Sequence, residues 1–170
     1  MSNSMSNWVT FITIVHTILS MTALLLGLWA VCQRAFGERR DARETAFLDT
    51  AAAATISGFL LPFHGVTPAI AVGMVSCTVL IATLVARANL AKPTRGWWVT
   101  FVVGVVLSEY LLCFVAVAQA FGKIPALHRL APTLKEPPFG MTQAIVLIIF
   151  LILAVSSVRR SSLDKPVSNA

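Results

Sequence analysis

Apolar residues in this chain come in long blocks separated by short polar links, and the blocks predict membrane-crossing helices. Five can be read: about Trp8 to Cys32, Ala46 to Pro62, Val66 to Ala86, Trp97 to Phe121 and Met141 to Val158. A helix rises about 1.5 Å per residue and needs about 17 to 25 residues to cross a hydrocarbon core of about 30 Å, so each block is long enough. The second is the weakest. It carries Asp49, an alanine run from Ala51 to Ala54, and only a short link through His64 and Gly65 to the third. Four spans are therefore the alternative. Trp8, Trp97 and Trp98 stand at block ends, where indoles anchor at the headgroup level.

Lys and Arg set orientation, because short cytoplasmic loops are enriched in them. With five spans and the N-terminus outside, the inner links receive Arg34, Arg39, Arg40, Arg43, Arg87, Lys92, Arg95, Arg159, Arg160 and Lys165. The outer side keeps only Lys123, Arg129 and Lys135. With four spans the same 13 cations divide almost evenly, so the five-span reading is preferred. Composition agrees: 57% of the 170 residues are apolar and 12% charged, against about 45 to 50% and 25% in an average soluble domain. The surplus apolar surface needs lipid to cover it. The expected fold is an all-α polytopic integral membrane bundle of five helices, N-terminus out and C-terminus in. It forms one domain over residues 1–160 followed by a cytoplasmic tail, 161–170, in a bacterial-type inner membrane.

Several features narrow the function classes. The first block has no Lys or Arg before it and no small-x-small cleavage pattern after it, so it reads as a retained span and not a signal peptide. The first six residues read as a disordered tail. The net charge of +6 is split among three inner links, which fits anionic headgroups and not a nucleic-acid surface. The link from Gln33 to Thr45 mixes Arg39, Arg40 and Arg43 with Glu38, Asp41 and Glu44, the pattern of a solvated helix end. Cys32, Cys77 and Cys113 show no metal-type spacing and read as small apolar side chains. The outer link from Gly122 to Gly140 holds Pro125, Pro132, Pro137 and Pro138, which discourage a continuous helix. No nucleophile elbow, phosphate loop or HExxH is present. The chain reads as a non-enzyme more readily than as an enzyme, and hydrolysis is disfavoured.

The sharpest chemical feature is Glu109, about halfway along the fourth block, where an ionised carboxylate costs a few kcal/mol. It is expected to face the bundle with Val105, Leu112, Cys113, Ala116 and Ala120, and to stay protonated or find a donor. In the first block Thr13, His16, Ser20, Ala23, Gly27 and Ala30 recur at helical spacing and predict one protein-facing stripe. Counted from the block ends, His16 lies about 12 Å and Glu109 about 18 Å from the outer boundary. A His16 to Glu109 pair, direct or through Ser20, is the expected polar site. Asp49 reads as a helix-end charge or a partner for Arg87. His64, His128 and Arg129 are the outer-loop candidates. No cofactor or metal site is expected, with a b-type haem held by His16 and His64 or His128 as a remote option.

Three functions remain open on these residues. The first is a module that binds or moves a proton, cation or small solute through the Glu109/His16 site, in a homo-oligomer if a pathway is needed. The second is an accessory subunit that docks on a larger membrane protein. The third is a small haem- or quinone-linked redox protein.

Overall fold

The computed structural model describes residues 2–36, 41–62, 68–92 and 94–163. All regular structure among them is helical: α1 (Ser2–Phe36), α2 (Asp41–Phe59), α3 (Pro68–Ala88), α4 (Arg95–Lys123), the short α5 (Pro125–His128) and α6 (Pro137–Leu163). Proline opens α3, α5 and α6, where its missing N–H needs no intrahelical partner. The apolar blocks form the centres of the long helices, but the helices run past them. In particular α1 begins at Ser2, which corrects the expected N-terminal tail: nothing in Ser2 to Asn7 breaks a helix that the following apolar run propagates.

Among the described residues four helices, α1, α3, α4 and α6, are long and apolar enough to cross a membrane. The chain is a helical membrane protein on that evidence. Its outer surface carries large apolar side chains, with Leu25 64%, Ile152 61% and Ile18 60% exposed, the inverse of a soluble bundle. The fourth of the long apolar blocks is the best covered: α4 packs on α3, α6 and α1, while α1 also packs on α2 and α6.

Cross-helix contacts fix the register. Along α1 and α2, Arg34 meets Glu44, Trp29 lies under Arg43, and His16 meets Ala54 and Ser57, so the two helices run antiparallel. Arg87 Nη2 donates to Thr45 Oγ1, joining α3 to the start of α2. This replaces the expected Arg87 to Asp49 pairing, because Thr45 lies one helical turn nearer the Arg87 end. Between α4 and α6, Gln143 Nε2 donates to Phe114 O at 3.0 Å, Tyr110 packs edge-on against Phe150 at 5.9 Å, and Phe121 against Phe139 at 5.5 Å. These helices are antiparallel too. At Gly104 a Cβ would collide with Thr83 Oγ1, so glycine is what lets α4 seat against α3.

The core lies between α1, α2 and α4, where Val31, Phe47, Leu48, Val102 and Val105 are fully buried. At one end of it sit Arg34 and Glu44, 3% and 5% exposed. Arg34 Nε donates to Glu44 Oε1 at 2.7 Å, Nη2 donates to Oε2, and the guanidinium stacks over Phe101 at 5.4 Å. The expected solvated helix end is thus corrected at Glu44, which closes the α1–α2 hairpin from inside. At the other end the link from α4 to α6 is ordered locally. Leu134 adopts a left-handed φ of 59°, and Thr133 N, Thr133 Oγ1 and Lys135 N donate to the Glu136 carboxylate. Desolvation pushes that carboxyl up, and the hydrogen bonds together more than offset it, holding Glu136 below the ordinary glutamate value.

Candidate functional site

Glu109 is fully buried. It reaches α1 at Gly27, where a Cβ would collide with its Oε2 and would lie 2.6 Å from both its Cδ and Phe47 Cε2. A glycine on α1, a phenylalanine on α2 and the carboxyl on α4 therefore close on one another at a three-helix junction. On its own helix, Cys113 Sγ donates to Glu109 Oε1 at 3.5 Å, a weak thiol hydrogen bond. Among the described residues Glu109 Oε2 has no hydrogen-bond partner. A buried carboxylate in that position would carry its full desolvation cost with no cation beside it, whereas the neutral acid is far cheaper to bury. Of the helical neighbours expected on this face, Val105 is fully buried, and Leu112, Cys113, Ala116 and Ala120 are half-buried.

His16 is half-buried and points elsewhere. Its Nδ1 lies 3.0 Å from Ala54 O and 3.2 Å from Ser57 Oγ on α2. A carbonyl oxygen only accepts, so Nδ1 carries the proton and Nε2 is left as the acceptor. The ring lies flush on α2, where a Cβ at Gly58 would be 3.1 Å from His16 Cε1. The structure does not bring His16 and Glu109 together. Glu109 sits opposite Gly27, and seven residues further on Arg34 stacks over Phe101, eight residues back along α4. On that register His16, eleven residues before Gly27, is about 16 Å from Glu109 along the axis. The expected pair fails because the outer ends of the first and fourth blocks are not level: α1 extends well beyond α4.

Of the predicted stripe, Ala23, Gly27 and Ala30 are buried, His16 and Ser20 are half-buried, and Thr13 is exposed. Thr13 instead donates its hydroxyl to Val9 O at 2.8 Å. His128 and Arg129 are exposed at the end of α5 and the turn after it, where Arg129 Nε donates to Pro125 O at 3.3 Å. His64 lies outside the described residues. Cys32, Cys77 and Cys113 are free and half-buried, and among the described residues no group of three or more His, Cys, Asp or Glu could hold a metal ion.

The walls around Glu109 differ at its two ends. Toward Arg34 the core is filled by Val31, Phe47, Leu48, Val102 and Val105, all 1% exposed or less. Toward His16 the buried residues of α1 and α2 are Ala23, Ala51, Ala54 and Ser57, with Ser20 beside them. Large side chains close one approach, and on α1 and α2 small ones line the other. Comparison with protein-family models, with curated proteins and with solved structures finds no match, so the reading of function rests on this geometry.

Proposed function

We propose that the chain is a five-span inner-membrane protein, N-terminus outside, in which Glu109 binds and exchanges a proton at mid-depth. The observation that carries this is the fully buried carboxyl whose Oε2 lacks a hydrogen-bond partner among the described residues. The course of α2 supports counting it as a span. It runs beside α1 from the Arg34–Glu44 contact to the His16–Ser57 contact, about 20 Å along α2, so it shares the depth of part of the apolar stretch of α1. The buried Arg34 and Glu44 pair marks the Arg-rich side, which the positive-inside rule assigns to the cytoplasm.

A proton is the ligand that suits the site. Hard cations such as calcium take about six to eight oxygen ligands, whereas this junction offers one carboxyl, a thiol, a glycine and a phenyl ring. A cation or small solute would have to move with the proton and not sit on Glu109 itself. The small-walled side toward Ser20 and His16 is the route by which water and protons reach the carboxyl from outside, and the Val and Phe layer isolates it from the cytoplasm. The expected result in vesicles holding the purified protein is proton uptake driven by a potassium diffusion potential, lost in Glu109→Gln. Uptake undiminished in that variant sinks the proposal.

The second reading, an accessory subunit, draws on a different surface. A groove of about 310 Å³ between α3 and α4 is lined by Val79, Ala82, Val99, Val103, Gly104 and Leu107. Its small floor and apolar walls suit a helix of a larger membrane protein or an acyl chain.

A further inference from the structure

Gln143 stands in the fifth apolar block, where nothing in its sequence context marks it, yet it is only 9% exposed. Its Nε2 donates to Phe114 O at 3.0 Å. A carbonyl oxygen only accepts, so this contact fixes the orientation of the amide and leaves Oε1 as a buried acceptor with no hydrogen-bond partner among the described residues. Ser108 Oγ and Ser157 Oγ are likewise buried without a partner there. A serine on a helix, however, can turn its hydroxyl to the carbonyl one turn back, as Thr83 does toward Val79 O. An amide oxygen has no such recourse and needs a donor from elsewhere, which in protein interiors is commonly a buried water.

Two registers set the level of Gln143. Phe114 is five residues beyond Glu109 on α4, about 8 Å toward the His16 end, and with Glu109 opposite Gly27 it comes level with Thr22 of α1. Arg160 Nη1 donates to Phe36 O, so Gln143, seventeen residues earlier on α6, comes level with Leu19. Both counts fall within one turn of Ser20, on the side of Glu109 where α1 and α2 present small residues. The lateral position agrees. Helix α6 packs on α4 and α1, and Gln143, Phe150 and Ser157 are buried along it at intervals of seven residues. Tyr110, next to Glu109, packs on Phe150, so Gln143 lies two turns from the level of the carboxyl on the same buried line. We propose that Gln143 positions the water through which protons reach Glu109, an inference that rests on the proton-exchange reading of that carboxyl. Hydrogen-bonded oxygens stand about 2.8 Å apart, so about two waters span the 8 Å between the two side chains. A hydronium at the Gln143 end donates one O–H to Oε1 as a hydrogen bond and passes a proton along the file. The last water protonates the Glu109 carboxylate, which leaves the neutral acid and water. Gln143 itself makes and breaks hydrogen bonds only.

Two readouts on Gln143→Met, which keeps the length of the side chain and removes the acceptor, test this. The initial rate of proton uptake into vesicles is expected to fall about tenfold, the loss of one hydrogen bond to a charged species. The carbonyl stretch of the protonated Glu109 carboxyl is expected to keep its place, while its shift on transfer into deuterium oxide slows by about the same factor. A merely loosened contact between α4 and α6 would speed that exchange, so the slowing separates water positioning from a structural role. Gln143→Glu, whose neutral acid donates to Phe114 O and keeps a carbonyl acceptor, is expected to stay within about twofold of the parent. If Gln143→Met does not fold, Ser20→Val places an apolar group at the same level with the amide intact, and the same slowing is expected there. Parent-like uptake or exchange in the variant that folds, or Gln143→Glu as slow as Gln143→Met, overturns the role of Gln143. Failure of the underlying reading looks different: uptake then survives in Glu109→Gln, whereas uptake lost in Glu109→Gln but unchanged in Gln143→Met removes this inference alone.

Discussion

Arg34→Met is expected to cost about 3 to 5 kcal/mol of stability. The reason is asymmetric. The guanidinium is 3% exposed and donates through two nitrogens to a Glu44 carboxylate that is itself 5% exposed. Removing the cation leaves a buried carboxylate with no counter-charge, which is the expensive way to break a buried pair. Phe101 also loses the cation that stacks on its ring. The double variant Arg34→Met/Glu44→Met is expected to recover most of the loss, since two apolar groups of similar volume leave nothing unpaired. Unfolding of the detergent-solubilised single and double variants checks this. Additive losses would show that the pair does not join α1 to α2 as a unit.

Gly27→Ala should destabilise the protein by about 1 to 3 kcal/mol, a high cost for one methyl group. In an open helix the same change is favourable by about 1 kcal/mol, because alanine is the better helix former. The sign reverses here because the new Cβ would occupy the position of Glu109 Oε2 and press on Phe47 Cε2 at 2.6 Å. Neither neighbour has room to retreat, since both are fully buried. Shortening the opposing side chain relieves the clash, so Gly27→Ala/Glu109→Ala should be less damaging than the sum of its parts, with a coupling of about 0.5 to 3 kcal/mol. Equal costs in the presence and absence of the Glu109 carboxyl would remove Gly27 from the site.

Both effects illustrate what could be read in the sequence. The apolar blocks located the long helices, and the helical spacing of Ala23, Gly27 and Ala30 identified the inward side of α1. A carboxylate at the centre of a span identified Glu109 as the residue needing an explanation. The partner of Glu109 was not legible, because depth was counted from block ends and α1 extends past α4. An error of a few turns is enough to exchange Gly27 for His16. Glu44 was hidden for a different reason. It stands in a run of mixed charges that, as a sequence, is indistinguishable from a solvated helix end, and only the antiparallel closure of α1 on α2 sets it opposite Arg34. The signal in the sequence is a cation and an anion, Arg34 and Glu44, about one turn inside the two facing ends of the hairpin. In the sequence Asp49 reads as a weakness of the second block, whereas its outward orientation is set by the packing of α2.

The infrared spectrum of the purified protein, recorded beside that of Glu109→Gln, tests the proton-binding site most directly. A protonated carboxyl has a carbonyl stretch above the amide band, apart from the bands of ionised carboxylates. The account predicts such a band in the parent protein at neutral pH, shifted on exchange into deuterium oxide and missing in Glu109→Gln. A parent spectrum without that band, or a band that persists unchanged in Glu109→Gln, would contradict it.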